Sequence, residues 1–587
     1  MTEAQNKICQ SCKKSFTIES EDFNFYERIK VPPPTFCPDC RFQRRMMFRN
    51  ERTMYRSVCG LCGKNVLSAY APEKNYKIYC HECWWSDAWD PLAYGKGYDF
   101  NKPFFVQFQE LYDSVPRLAL EAYQNQNCPY TNFTWYSKDA YFSPSTLYSE
   151  NVVNSNGTWY SRDIIDSVNL QNCQWCYESV HAVNCSESIY LLASKDCLSC
   201  KFLYDSRNCS NCFMSGNLRG KNHVWRGEQL TKEEYDKRLS EIDFGSHQVM
   251  QELVGEYKNL CKSLIHRPAE YVNAQDSVGN YIVNSKECFY CFNVKDSQNM
   301  RYTGQADKCR DSCDLYGAGD KASFLYEGVN IGFMGDEHIY FSTNSFSGER
   351  NIQYCDNVRN SCTDIFGCVG LRGKQYCVFN KQYTREEYED LKSKIIEQME
   401  NVPYTDKIGR VYGYGEFFPG ELSPFSYNET IAQEYFPLTK SAVVEYGFSW
   451  REPDGKDYHP TMRASDMPDR IQDTKDSILD EVVGCAHLEF GHDAMCEGIC
   501  ATAFKLTKQE LEMLRYLNLP LPRACYNCRH YERLKRRNPY QLWHRACMCD
   551  KSSHAHSGKC SAEFETSYSP NRSEIVYCEA CYNAEVA

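Results

Sequence analysis

Through the middle of this chain, short apolar or aromatic runs alternate with Asp, Ser and Asn, as in "DSVNLQNCQWC", "YDSRNCSNC", "DSVGNYIVNSKECFYC" and "VKDSQNM". Runs this short, broken by turn-forming residues, predict short strands, and their recurrence at about 20 residues predicts strands stacked in a coil. Cys176 to Cys197 and Cys288 to Cys309 both span 21 positions. Cysteine is small enough to stack inside such a coil. The same residues allow further zinc, because Cys173, Cys176, Cys197 and Cys200, and Cys288, Cys291, Cys309 and Cys313, also have ligand-like spacing.

Two stretches carry helical patterning instead. "LTKEEYDKRLSEI" and "YTREEYEDLKSKIIEQM" each begin with a Thr cap, place acids in the first turn and bases later. They belong to a duplication in which "NLRGKNHVWRGEQLTKEEYDKRLSEI" from Asn217 matches "GLRGKQYCVFNKQYTREEYEDLKSKI" from Gly370, an offset of 153 that Cys209 and Cys362 also keep. The shared "LRGK" lacks the longer glycine pattern and following Ser or Thr of a phosphate loop, and reads as the turn that ends a coil.

The ends repeat each other as well. Four CxxC pairs open the chain: Cys9 and Cys12, Cys37 and Cys40, Cys59 and Cys62, Cys80 and Cys83. A short knuckle presents two thiolates to one ion and a distant second knuckle closes the site, so these predict two four-thiolate zinc sites. Near the C-terminus the intervals recur: Cys12 to Cys37 and Cys500 to Cys525 both span 25, Cys40 to Cys59 and Cys528 to Cys547 both span 19, and Cys62 to Cys80 and Cys560 to Cys578 both span 18. The C-terminal copy departs twice, with Cys496 and Cys500 as a CxxxC first knuckle and ten extra residues between the equivalents of Cys59 and Cys62. Its second knuckle is Cys525 and Cys528, and its second ion has Cys560, Cys578 and Cys581, with Cys547, Cys549, His554 or His556 as the fourth ligand. About four zinc ions per chain follow. Sites closed by four protein ligands hold folds together rather than activate water.

The first knuckle, with "KKSFTIESEDFNFY", "VPPPTFCPDCR" and "QRR" after it, resembles the probable zinc-ribbon family. The whole chain, through "YNETIAQEYFPLTK" and "LPLPRACYNCRHYER", is similar to cysteine-rich multi-zinc-ribbon proteins of candidate-phyla bacteria. Some of those carry a family III CoA-transferase label, but nothing in this chain marks a nucleophilic Asp in a nucleotide-fold context.

Composition narrows the classes. With 35 cysteines and 44 tyrosines in 587 residues, and an opening "MTEAQNKICQSCKK" of no signal-peptide type, the chain reads as soluble and cytoplasmic with reduced thiols. The net charge of −12 argues against a general nucleic-acid coat. Against that background Arg41, Arg44, Arg45, Arg49, Arg52 and Arg56 crowd between two knuckles, and Arg529, Arg533, Lys535, Arg536, Arg537 and Arg545 crowd at the equivalent place. Interleaved with aromatic residues, they suit phosphate contact and base stacking on RNA or the ribosome. The competing expectation is that they bind the chain's own carboxylates or a protein partner.

The fold expected is multidomain and mainly β with short helices: zinc-ribbon or treble-clef-like modules at both ends flank a duplicated, cysteine-rich, β-solenoid-like middle. The divisions are 1–100, a double zinc module; 101–128, a helical connector; 129–225, the first coil; 226–268, helical; 269–380, the second coil; 381–480, helix and connection; and 481–587, the second double zinc module. Three functions compete: an RNA- or ribosome-associated protein using its basic segments as clamps, a protein-interaction scaffold with structural zinc end caps, and a zinc hydrolase or nuclease using His544, His554 and His556.

Overall fold

A computed structural model describes residues 3–452, 458–491 and 499–586. Many strands and short helices build it, and among the described residues two large sheets dominate, one of 15 strands from Ala122–Tyr123 to Glu228–Gln229 and one of 12 strands from Tyr271–Val272 to Lys381–Gln382. Pairing in each is parallel up to a closing antiparallel hairpin. The register shows how the chain climbs: Glu150 lies beside Arg162, Arg162 beside Gln174 and Gln174 beside Ser186, a rung of 12 residues each time. In the second stack the rungs vary, with Gln298 beside Arg310, Arg310 beside Ser323 and Ser323 beside Glu337.

The rung has a finer unit of three residues. Ser137, Ala140, Ser143, Thr146, Ser149, Val152, Ser155 and Thr158 are all buried, and the residues that precede them at Tyr136, Asp139, Phe142, Ser145 and Tyr148 hold φ between 48° and 55°. Left-handed backbone is uncommon outside glycine; recurring at every third position, it turns the strand around four sides of each 12-residue rung. Asn and Asp tolerate that conformation and hydrogen-bond up the corner, as where Asn154 Nδ2 donates to Asp166 Oδ1 at 2.6 Å, one rung on. Inside, Ser155 N donates to Ser143 Oγ at 3.1 Å and Ser167 N to Ser155 Oγ at 3.0 Å.

Cysteine continues these inner columns. Ser137, Ser149, Ser161, Cys173, Cys185, Cys197 and Cys209 follow one another at 12-residue steps, all buried. The expected cycle of about 20 residues is therefore corrected: the interval of 21 is seven steps of three, which joins inward positions of different columns. Contact with Cys173, and burial, push the Cys185 thiol up to about 12. Among the described residues, none of the central cysteines joins a cluster able to hold an ion, and Cys313 leaves the interior altogether for the aromatic packing outside the second stack.

Both predicted helices form, Lys232–Ser240 and Arg385–Asn401, each with a capping box from Thr231 or Thr384. The N-terminal cysteine region packs on the second stack and the C-terminal one on the first, so the duplicated ends cross. The "LRGK" arginines mark this: Arg372 Nη1 donates to Trp84 O at 2.8 Å, while Arg219 Nη2 donates to the Tyr582 hydroxyl at 2.9 Å. The ends also meet, with Phe42 stacked on Tyr540 at 5.9 Å. Among the described residues no helix is long and apolar enough to cross a membrane.

At one corner of the second stack, Asp336 accepts backbone N–H groups from Phe333, Gly348 and Glu349. Burial, with the Asp336 charge beside it, pushes the Glu349 carboxyl up to about 9. Folded chains then carry a proton that an unfolded glutamic acid sheds near pH 4, so stability falls as pH rises from about 4 towards 9. Glu349→Gln keeps the shape without the charge. It should raise the melting temperature at pH 9 by about 2–4 °C and leave it nearly unchanged at pH 5; equal shifts at both values would show that no buried proton is held there.

Candidate metal centres and the arginine joints

Each cysteine cluster is built by the same local device. A short antiparallel hairpin brings a cysteine at the end of its first strand beside one ahead of its second, as Gln5–Ile8 with Ser15–Ile18 does for Cys9 and Cys12. Two more come from a helix N-terminus, where the residue before the first turn is itself a cysteine: Cys37 before Pro38–Met46, Cys80 before His81–Trp85, Cys525 before Tyr526–Leu534 and Cys578 before Glu579–Val586. The backbone N–H groups of Cys37, Cys80, Cys525 and Cys578 donate to the first sulfur of their clusters at 3.3, 3.3, 3.3 and 3.1 Å. Such bonds favour a thiolate over a thiol.

Four groups of four sulfurs result: Cys9, Cys12, Cys37, Cys40; Cys59, Cys62, Cys80, Cys83; Cys485, Cys500, Cys525, Cys528; and Cys547, Cys560, Cys578, Cys581. The second and third sulfurs of each are 3.7, 3.9, 3.9 and 3.9 Å apart. A tetrahedral ion with metal–sulfur bonds of about 2.3 Å sets its sulfurs about 3.8 Å apart, so the clusters fit a metal ion. All the cysteines described are free, and these separations are far beyond a disulfide bond of about 2.05 Å.

Cys485 was not foreseen. Cys496 lies outside the described residues, and the first sulfur of the third cluster belongs to Cys485, which follows Val483–Gly484 as Cys9 follows its strand. Cys485 N donates to Thr502 O at 2.8 Å, just as Cys9 N donates to Lys14 O at 2.9 Å. Hairpin pairing fixes this position whatever the loop length; the usable signal was a cysteine ending a short apolar run, not a spacing. In the fourth cluster the remaining sulfur is Cys547, whereas Cys549 sits with His554, His556 and Cys581. His544 stands apart, between Glu563 and Glu565 on the hairpin.

Six of the arginines, Arg41, Arg44, Arg45, Arg49, Arg529 and Arg533, are buried, whereas Arg56 is exposed. Arg41, Arg44, Arg45 and Arg49 are 1%, 4%, 0% and 5% exposed, which removes them from solvent. Arg41 Nη2 and Arg45 Nη1 both reach Asp314 at 2.9 Å, Arg45 Nη1 reaches Glu327 at 2.8 Å, and Arg44 Nη2 bridges Glu327 at 3.2 Å and Glu416 at 3.1 Å. At the other end Arg529 pairs with Asp166 and with Glu510 at 2.9 Å, Arg533 with Asp166 at 2.7 Å, and Arg536 with Glu178. Burial pushes the Asp314 carboxyl up, but the Arg41 and Arg45 guanidiniums outweigh it and hold the group below its usual value.

The two joints share a geometry. Asp166 and Glu178 occupy left-handed corners one rung apart, as do Asp314 and Glu327. Rungs repeat at about 4.8 Å and a helical turn at about 5.4 Å, so arginines four residues apart share the first corner, Arg41 and Arg45 at Asp314 and Arg529 and Arg533 at Asp166, and the second of each pair also reaches the next corner, Glu327 or Glu178. Beyond each helix the same segment reaches the other stack: Arg49 Nη2 donates to Ser145 Oγ and Arg52 Nη2 to Asn154 Oδ1, both at 3.0 Å, while Tyr540 stacks on Phe292 at 5.0 Å. Arg537 lies over Tyr435 at 4.0 Å, and Lys535, the exposed member, pairs with Glu532.

Removing one partner of a buried ion pair strands the other, a change that costs about 3–5 kcal/mol. Asp314→Asn and Arg45→Met should each lower the unfolding free energy obtained from urea titration by that amount, whereas Arg56→Ala, an exposed arginine of the same segment, should shift it by less than about 0.5 kcal/mol. Equal effects at Arg45 and Arg56 would contradict the joint. No protein-family model, curated protein or solved structure matches the chain, so the cysteine clusters are the part of the zinc-ribbon resemblance that the structure carries.

Proposed function

We propose that the chain is a zinc-stabilised binding scaffold. Zinc fills the four-sulfur clusters, giving two treble-clef-like modules at each end; the two stacks are β-solenoids that those modules cap; and a protein partner is recognised on the tyrosine-bearing side of the first solenoid. Zinc suits the donor set because thiolates in a closed tetrahedron select a soft, redox-silent ion. With every ligand supplied by the chain, such ions stabilise rather than catalyse.

The observation that carries the scaffold reading is a row of exposed tyrosines. Tyr136, Tyr148 and Tyr160 project from successive rungs, their rings parallel within 4° and 4.8 and 5.1 Å apart, with Tyr123 set edge-on against the first. They are 40%, 48% and 56% exposed while most aromatic residues of the chain are packed away. Rigid aromatic side chains give large contact area at low entropic cost, which is why tyrosine dominates recognition surfaces. The arginines that motivated an RNA clamp are meanwhile engaged with carboxylates inside the molecule.

Tyr136→Ser with Tyr148→Ser and Tyr160→Ser tests this reading. The triple variant should keep its zinc and circular dichroism and lose at least about tenfold in affinity for the partner that co-purifies with nuclease-treated protein at about 0.3 M salt. Undiminished affinity would remove the tyrosine face. Co-purifying RNA that dissociates steeply with salt would favour the clamp instead.

A further inference from the structure

The C-terminal module differs from the N-terminal one by a longer knuckle: Cys59 and Cys62 are three residues apart, their counterparts Cys547 and Cys560 thirteen. The insertion is chemically specific. It supplies Cys549, His554 and His556, whose ligand atoms lie with Cys581 Sγ in one group in which no two are more than 4.8 Å apart. Cys581 is also the fourth sulfur of the neighbouring cluster. We propose that this insertion binds a fifth zinc ion through Cys549, His554, His556 and Cys581, with the Cys581 thiolate bridging it to the ion held by Cys547, Cys560 and Cys578. The inference rests on the metal reading of the four-sulfur cluster.

Both imidazoles are already oriented for this. His554 turns Nδ1 towards Cys549 Sγ at 3.1 Å, and its Nε2 is held by Glu585 Oε1 at 2.8 Å. His556 turns Nε2 towards Cys581 Sγ at 3.4 Å, with Nδ1 on the Gly558 carbonyl at 2.8 Å. One nitrogen facing sulfur and the other tied to an oxygen acceptor is the arrangement that fixes tautomer and ring plane in zinc-bound histidine. Glu585 is itself pinned by Lys551, and it rides on the helix Glu579–Val586 that carries Cys581. Zinc bonds of about 2.3 Å to sulfur and 2.0 Å to nitrogen place such atoms about 3.5 Å apart, so the pairs open only slightly to admit an ion.

Charge favours the pair of ions. Four thiolates around one divalent ion leave −2 beside a buried fifth sulfur, Cys549, which is 0% exposed. Five thiolates around two ions leave −1 and no buried thiol without a charge partner. With four protein ligands on each, both positions are closed, and the second ion welds the inserted loop to the last helix.

Native mass spectrometry of the full chain, purified without a metal-binding tag, decides the matter by counting zinc. The wild type should hold five ions and His554→Asn with His556→Asn four, the inserted loop being all that changes. Four ions in both proteins would overturn the second ion while leaving the four-sulfur clusters standing; fewer than four in the wild type would overturn those clusters and this inference together. Five in both would overturn the ligand assignment. If the variant does not fold, cadmium-113 resonance on the substituted wild type replaces it: two signals from this module coupled to each other through the shared sulfur are expected, and uncoupled signals would overturn the bridge.

Discussion

Taking guanidinium groups out of water costs several kcal/mol each unless carboxylates meet them in fixed geometry, and six arginines here pass that requirement in two matched sets. Arg41, Arg44 and Arg45 face Asp314, Glu327 and Glu416; Arg529, Arg533 and Arg536 face Asp166, Glu178 and Glu510. Each set balances three charges against three. Two acids of each set, Asp314 with Glu327 and Asp166 with Glu178, lie at corners of a stack, whose rung spacing is set by backbone hydrogen bonding, while Glu416 lies beyond the second stack and Glu510 on the helix Lys508–Tyr516. Five of the arginines lie on a helix with one cysteine just before its first turn and one within it, so Arg41 follows Cys40 and Arg529 follows Cys528 directly, and Arg536 lies just past the helix end. The cysteine cluster fixes where the helix begins, and the stack fixes where the acids stand.

This couples parts of the chain that are far apart in sequence. Each end module sits on the stack belonging to the other half, then reaches across with its trailing segment, so neither stack is complete without both ends. The contact of Phe42 with Tyr540 lies where the two segments meet. Six arginines of the two basic segments thereby face carboxylates inside the chain.

How much of this could be read beforehand depended on range. The N-terminal cysteine knuckles, the helix caps and the two duplications are local patterns, and they stand in the structure where spacing put them, whereas the third cluster takes its first sulfur from Cys485, outside the spaced pair of Cys496 and Cys500. The stack's period of three was hidden because its inward position takes Ser and Thr as readily as Cys, Ala, Val, Ile and Leu, so no hydrophobic alternation results. Cys485 escaped because strand pairing, not loop length, places it. The chain's own carboxylates were one expected destination of the arginines, but which carboxylates was illegible for the same reason: Arg41 and Asp314 are separated by 273 positions, and sequence shows charge where it sits, not what it will face.

The proposed zinc ions would fix both helices and so hold the arginine joints closed. Hydrogen exchange on the full chain, with and without a strong chelator, tests this most directly. Chelation should strip protection from Pro38–Met46 and Tyr526–Leu534 together with the corners bearing Asp314, Glu327, Asp166 and Glu178, while inner rungs of the stacks exchange slowly as before. Helices and corners that keep full protection after the metal is gone would contradict it.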